Sequence, residues 1–131
     1  MKTLLILTFA TLTLLGCANK EQAELRTVLI ERFKAHQDIQ AYQLDPVAMA
    51  DCVVDEIAMS LPGFAGDPRR PQFFAAYTRF LTVQSATEAE AALAEFEPLF
   101  DGIQQARMAA TSITEHEFTC MGKLIENKDH S

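Results

Sequence analysis

Beyond the first twenty positions, apolar residues recur at intervals of three and four, and no stretch alternates apolar and polar residues over the length of a strand. The first spacing places apolar side chains along one face of an α-helix, whereas a half-buried strand needs alternation. Alanine, leucine, glutamate and glutamine, which favour helices, are abundant in the same region. The pattern predicts an all-α protein, a compact bundle of four to five helices.

Capping and breaking signals divide this pattern into helices. We predict a first helix over about residues 20–43. Asp45 before Pro46 is a strong start signal, because the carboxylate can accept hydrogen bonds from the first helical N–H groups and proline suits the first helical position. A second helix is therefore predicted over residues 46–61, ended by Pro62.

A third helix is predicted over about residues 71–84, and it is rich in aromatic residues. Phe73, Tyr77, Phe80 and Leu81 share one face at helical spacing. Such a face is typical of a core seam between helices. The alternative is that this helix and the next enclose a cavity for a small apolar molecule.

The second half of the chain contains two further start signals and one breaker. Thr87 with Glu90 has the spacing of a capping box, and so has Thr114 with Glu117. We predict that a fourth helix begins at the first pair and a last helix at the second. Pro98 should kink or break the fourth helix, because proline removes a backbone hydrogen bond.

Two of the three cysteines are expected to form a disulfide. If Cys17 is modified, as argued below, Cys52 and Cys120 have only one pairing open to them. An oxidising compartment favours this bond, which would staple the second helix to the last. A redox role is the alternative, although redox pairs are usually close together as Cys-x-x-Cys.

Polar clusters give no catalytic or metal assignment. Asp51, Asp55 and Glu56 lie on one helix, and residues 115–117 combine two glutamates with a histidine. Carboxylates four residues apart can hold a divalent cation, but acids on the outer face of a helix are usually solvated. We therefore assign no catalytic residue, no metal ligand and no cofactor, and we do not expect an enzyme.

The N-terminus has the features of a signal peptide. Lys2 supplies a positive charge, and residues 3–15 form an apolar segment without charged residues. A helix of that length rises only about 20 Å, less than the ~30 Å hydrocarbon core of a bilayer. A cleaved signal peptide is therefore favoured over a permanent membrane span.

The end of this segment resembles the lipobox of bacterial lipoproteins, through Leu14, Leu15, Gly16 and Cys17. The resemblance implies cleavage before Cys17 and a lipid on its sulfur, which would hold the chain to a membrane. It divides the chain into a signal peptide (1–16), a lipidated N-terminus with a short tether (17–23) and one helical domain (24–131). The alternative is an uncleaved N-terminal anchor around a free Cys17.

The residue after Cys17 predicts where the protein is located, and its net charge disfavours one class of partner. Position +2 after the cysteine is Ala18, and lipoproteins of Gram-negative cells with aspartate there are often kept in the inner membrane. We therefore expect the periplasmic face of the outer membrane. With 18 acidic and 11 basic residues, the net charge is −7. An acidic domain repels phosphate backbones, so nucleic acid is not expected as a partner.

One loop, over residues 62–71, has an unusual composition of proline, glycine and adjacent arginines. Phe64 is an apolar residue on a turn, and Arg69 and Arg70 are neighbouring cations in an acidic protein. We predict a partner contact at these three residues. The alternative is that the arginines cap helix carbonyls or pair with the acidic fourth helix.

The function predicted from these features is a protein-interaction or envelope-assembly module facing the periplasm. In size, anchoring and architecture the chain resembles the pilotins, small helical lipoproteins that escort secretion-channel subunits. That likeness includes no motif and assigns no residue. The alternatives are a periplasmic domain that binds a small molecule and a passive structural lipoprotein.

Overall fold

A computed structural model describes residues 20–131, so the predictions for residues 1–19, including the lipobox and Cys17, lie outside the described residues. Within the described range the chain forms α-helices and no strand, which confirms the all-α bundle. Five of the helices have 11 residues or more. The helices are α1 (Lys20–Lys34), α2 (Gln37–Ala41), α3 (Pro46–Ser60), α4 (Arg70–Thr82), α5 (Ala86–Phe96) and α6 (Ile103–Asp129).

The first predicted helix is broken in the structure. A single helix over residues 20–43 was wrong, because α1 ends at Lys34 and only the short α2 follows. Gln43 has a positive φ of 53°, and the Leu44 N–H donates to the Ile39 carbonyl at 2.9 Å. This turn buries Ile39 and Leu44 and reverses the chain. At the other end α1 begins at Lys20, so the last four residues of the predicted tether are helical.

The start of α3 is as predicted. The Asp45 carboxylate accepts hydrogen bonds from the Val47 and Ala48 N–H groups at 3.1 and 3.3 Å, and Pro46 occupies the first turn. These bonds satisfy donors that have no partner inside the helix. The helix ends at Ser60, just before Pro62, as expected.

The start of α5 differs from the prediction. A capping box at Thr87 and Glu90 was wrong, because Ser85 is the N-cap and its hydroxyl accepts from the Glu88 N–H at 3.2 Å. The Glu88 carboxylate in turn accepts from the Gln84 N–H at 2.8 Å. A related pair of bonds therefore occurs two residues earlier, where Ser85 has the extended backbone that a cap requires, but Glu88 bonds the N–H of the residue before the cap.

Pro98 interrupts the helical structure between α5 and α6. It lies in a 3₁₀ turn over Glu97–Leu99, and Gly102 with a φ of 129° precedes α6. The last helix therefore begins at Ile103, and a start at Thr114 was wrong. Glu117 makes no cap, because its carboxylate accepts from Arg32 at 2.9 Å.

The helices pack around one apolar core. α1 contacts both α3 and α4, α6 lies across α3, and α5 packs against α4 and α6. The predicted disulfide between Cys52 and Cys120 is present, with the two Cα atoms 5.8 Å apart, and it joins α3 to α6. The largest side chains fully buried in this core are Phe33, Phe73, Leu25, Leu29, Ile39, Met49 and Ile57.

Candidate functional site

The aromatic residues of α4 close on one another and on residues of the next segments. Phe73 meets Phe100 edge to face with ring centroids 5.2 Å apart, and Phe80 meets Phe96 at 6.0 Å. Tyr77 lies 6.3 Å from Phe100 in the same arrangement. These contacts are those of a packed seam between helices.

An open groove of about 530 Å³ lies outside this seam, along α6. Residues 60–62, at the end of α3, line one side, and Leu99 and Phe100 contribute apolar surface between the helices. The face of α6 from Gln105 to His116 lines the other side, and Met108 on this face is 57% exposed. A large thioether left in water beside an apolar groove is a feature of adaptable binding surfaces.

Polar groups also line the groove. The Nε2 atom of His116 is buried and finds no hydrogen-bond partner among the described residues. Asp101, in the left-handed region with a φ of 60°, and Gln105 lie on the solvent side. Within residues 20–131, the Ser112 hydroxyl donates only to the Ala109 carbonyl of its own helix, at 2.7 Å. The groove therefore offers hydrogen-bonding groups beside apolar surface.

Both arginines of the 62–71 loop are bound within the protein. The Arg69 N–H and guanidinium donate to the Asp67 carboxylate at 2.9–3.2 Å. The guanidinium hydrogen bonds lower the pKa of Asp67 from 3.8 to about 2. Arg70 donates to the Ala58 carbonyl at 2.9 Å. The alternative in which an arginine caps a helix carbonyl is therefore realised at Arg70, and Arg69 pairs within its own loop.

Phe64 is the most exposed residue of the predicted contact, at 68%, and the Arg69 side chain is exposed as well. It follows Gly63, whose φ is 84°, and a Cβ on that glycine would lie 2.2 Å from an Asp67 carboxylate oxygen. Only glycine fits this conformation and this close approach. The loop therefore presents the Phe64 ring on a fixed turn.

Three of the five acidic residues noted in the sequence form ion pairs between helices. Asp51 bonds Arg26 on α1, and Glu56 bonds Lys123 on α6. Within residues 20–131, no three histidine, cysteine, aspartate or glutamate side chains come together as a metal site. The residues at 115–117 do not act as one cluster, because Glu117 forms an ion pair with Arg32 while His116 lines the groove.

Sequence reasoning missed the groove and its exposed Met108. The groove is formed by residues far apart in the chain, at 60–62 and 99–116, whose meeting depends on where α5 ends. Two signals in the sequence were passed over, one for the groove and one for the 62–71 loop. Met108 is a large apolar residue in an exposed part of α6, and Asp67 stands two residues before Arg69 at the spacing of an Asx turn.

No family model, no curated protein and no solved structure matches the chain. No helix within the described range is long and apolar enough to cross a membrane. What the domain does must be inferred from the chemistry of its groove and of its loop.

Proposed function

We propose that this protein is a lipoprotein of the bacterial cell envelope whose helical domain binds a segment of another envelope protein in the groove along α6. Membrane attachment through Cys17 rests on the lipobox at residues 14–17. Ala18 favours the periplasmic face of the outer membrane. The groove is the observation that carries the binding role.

The shape of the groove favours a protein segment over a small molecule. Sites for small ligands bury most of the ligand surface in a cavity, whereas this groove is open to solvent along one helix. Its apolar surface, including Leu99 and Met108, suits apolar side chains that recur at i, i+3 and i+4 on a partner helix. Asp101 and Gln105, which are exposed where they line the groove, can bond polar groups at the edge of such a helix.

Site-specific photocrosslinking in cells tests this role. A photoreactive amino acid at Met108 reports on the groove. The same amino acid at Phe118 is the matched control, since Phe118 lies on the same helix, is 67% exposed and does not line the groove. We expect one discrete adduct from position 108 and none of the same mass from position 118.

Filling the groove should abolish the adduct. In Ser112→Leu the larger side chain occupies the groove, while the hydroxyl that is lost bonds only its own helix. Thr111→Leu is the control, since Thr111 is the exposed neighbour and likewise bonds only its own helix. The binding role fails if the adduct survives Ser112→Leu, or if Thr111→Leu removes it equally.

Cys17→Ser tests membrane attachment independently. Without a thiol to receive the lipid, the signal peptide should stay uncleaved and the precursor should accumulate. A normally processed variant that still fractionates with lipid-linked proteins would refute the lipobox interpretation.

A further inference from the structure

The 62–71 loop lies beside the first turn of α1. Gln22, in that turn, lines a surface cleft of about 240 Å³ together with the loop residues Gly66 and Arg70. Farther along the same face of α1, Arg26 pairs with Asp51. The loop is therefore at the end of the bundle where α1 begins.

The chain upstream of α1 is short enough to fix where an N-terminal anchor must be. Cys17 is three residues before Lys20. Because a fully extended chain spans at most about 3.6 Å per residue, their Cα atoms lie within about 11 Å of each other. An anchor at residue 17 therefore holds the start of α1, and with it the 62–71 loop, close to the bilayer surface.

Phe64 is one of the exposed apolar residues at this end of the molecule, as is Met59 at the end of α3. Its ring is 68% exposed, and the loop carrying it is held by Asp67 with Arg69 and by Arg70 with the Ala58 carbonyl. The loop therefore holds a large aromatic side chain in solvent at this end of the domain, where it is free to make a contact outside the domain.

We infer that the 62–71 loop is the bilayer-facing surface of the domain and that Phe64 enters the membrane interface. This inference rests on the proposed attachment of the N-terminus to a membrane. One phenylalanine binds a bilayer weakly, and a net charge of −7 opposes adsorption to anionic lipids. Attachment through the N-terminus makes the contact intramolecular, so the local lipid concentration is high enough for a weak contact to form.

This contact would set the orientation of the domain. With the loop against the bilayer, α1 points away from the membrane. Arg32, near the far end of α1, lies about 18 Å along the helix from Lys20, given a rise of 1.5 Å per residue. Phe118 lies at that far end, where it lines a cleft with Arg32 and His36. Two phenylalanines of equal exposure, 68% and 67%, therefore lie at opposite ends of α1.

Fluorescence quenching by lipid tests the inference. The chain contains no tryptophan, so Phe64→Trp and Phe118→Trp each introduce a single reporter at an exposed position. Each full chain is purified from membranes and reconstituted in vesicles of phosphatidylethanolamine and phosphatidylglycerol, with and without brominated acyl chains. We expect brominated lipid to lower the emission of Phe64→Trp about twofold, as for a side chain at the boundary between headgroups and acyl chains, and to leave Phe118→Trp unchanged.

Each other outcome overturns the inference. Unquenched Phe64→Trp in attached protein means that the loop faces water or a protein partner, and equal quenching of both variants means that the domain has no fixed orientation. Intact mass of the same preparation shows separately whether Cys17 carries lipid. An unmodified chain held by its apolar N-terminus would refute the proposed lipidation, while the quenching would still decide where Phe64 lies.

Discussion

The guanidinium of Arg70 donates a hydrogen bond of 2.9 Å to the backbone carbonyl of Ala58. In a continuing helix that carbonyl would accept from the N–H four residues later, but that residue is Pro62, which has none. The proline that ends α3 therefore leaves an acceptor without its helical partner, and the first residue of α4 supplies the donor. This bond ties the two ends of the 62–71 loop together.

Replacing Arg70 should therefore destabilise the domain. Arg70→Met keeps much of the aliphatic side chain but leaves the Ala58 carbonyl without this donor, which should lower the free energy of unfolding by about 1 kcal/mol. Arg107→Met is the control, since it removes an exposed pair with Glu90, and such pairs contribute about 0–1 kcal/mol. Urea unfolding measures both. A loss no larger for Arg70 than for Arg107 would contradict the role of this bond.

Gly63 and Gly122 should respond in opposite directions to alanine. Gly63→Ala places a Cβ 2.2 Å from the Asp67 carboxylate at a φ of 84°, which should cost about 1–3 kcal/mol of unfolding free energy. Gly122→Ala lies within α6 and meets nothing within 4 Å, so it should stabilise the protein by about 0.5–1 kcal/mol. Thermal unfolding compares the two variants. If both substitutions destabilise the protein, the close approach to the Asp67 carboxylate is not the cause of the loss at Gly63.

The Asp67 carboxylate should make stability depend on pH in acid. Its hydrogen bonds with Arg69 lower its pKa from 3.8 to about 2. A carboxyl group whose pKa is lower in the folded state stabilises the fold above its unfolded pKa, and that stabilisation is lost as the pH falls from about 4 to about 2. Asp67→Asn should therefore lose stability at neutral pH and show a shallower decline over this interval.

The control for Asp67 is an aspartate outside any pair. Asp38 is exposed and forms no ion pair with the residues that the structure describes. Asp38→Asn should keep the wild-type decline between pH 4 and pH 2 in urea unfolding. If Asp67→Asn also keeps the wild-type decline, the hydrogen bonds between Asp67 and Arg69 do not contribute to the stability of the folded state.

Reduction of the disulfide should destabilise the bundle strongly. The bond joins residues 68 positions apart, and closing a loop of that length stabilises the folded state by about 4 kcal/mol in the chain-entropy model. Adding a reductant should lower the urea midpoint of the wild-type protein. It should leave a Cys52→Ala, Cys120→Ala double variant unchanged, and a shift in that variant would show that the reductant acts elsewhere.

Local chemistry made parts of the fold predictable. Asp45 and Pro46 define the start of α3 through bonds made within four residues. The pairing of Cys52 with Cys120 was predictable because these are the two cysteines that remain when Cys17 is modified. The break after Lys34 was missed because it depends on burying Ile39 and Leu44 against other helices. Thr114 and Glu117 have the spacing of a capping box, but α6 had already begun at Ile103, where Gly102 follows the Pro98 turn.

The site was less predictable than the fold. Phe64 was identified from the composition of its loop, and it is exposed. The engagement of Arg69 and Arg70 depends on Asp67 and on a carbonyl left without its helical partner, which the sequence indicates only once the end of α3 is known. The groove depends on residues that meet across the bundle, and no local pattern contains that information.

We propose that this domain is held at an envelope membrane through Cys17, and both the location and the bilayer contact of Phe64 depend on that attachment. The most direct test is the intact mass of the protein extracted from the membrane fraction of cells that make the full chain. We predict a chain that lacks residues 1–16 and carries the added mass of a diacylglyceryl group on Cys17. A chain that retains Met1, or one cleaved before an unmodified Cys17, would contradict the claim.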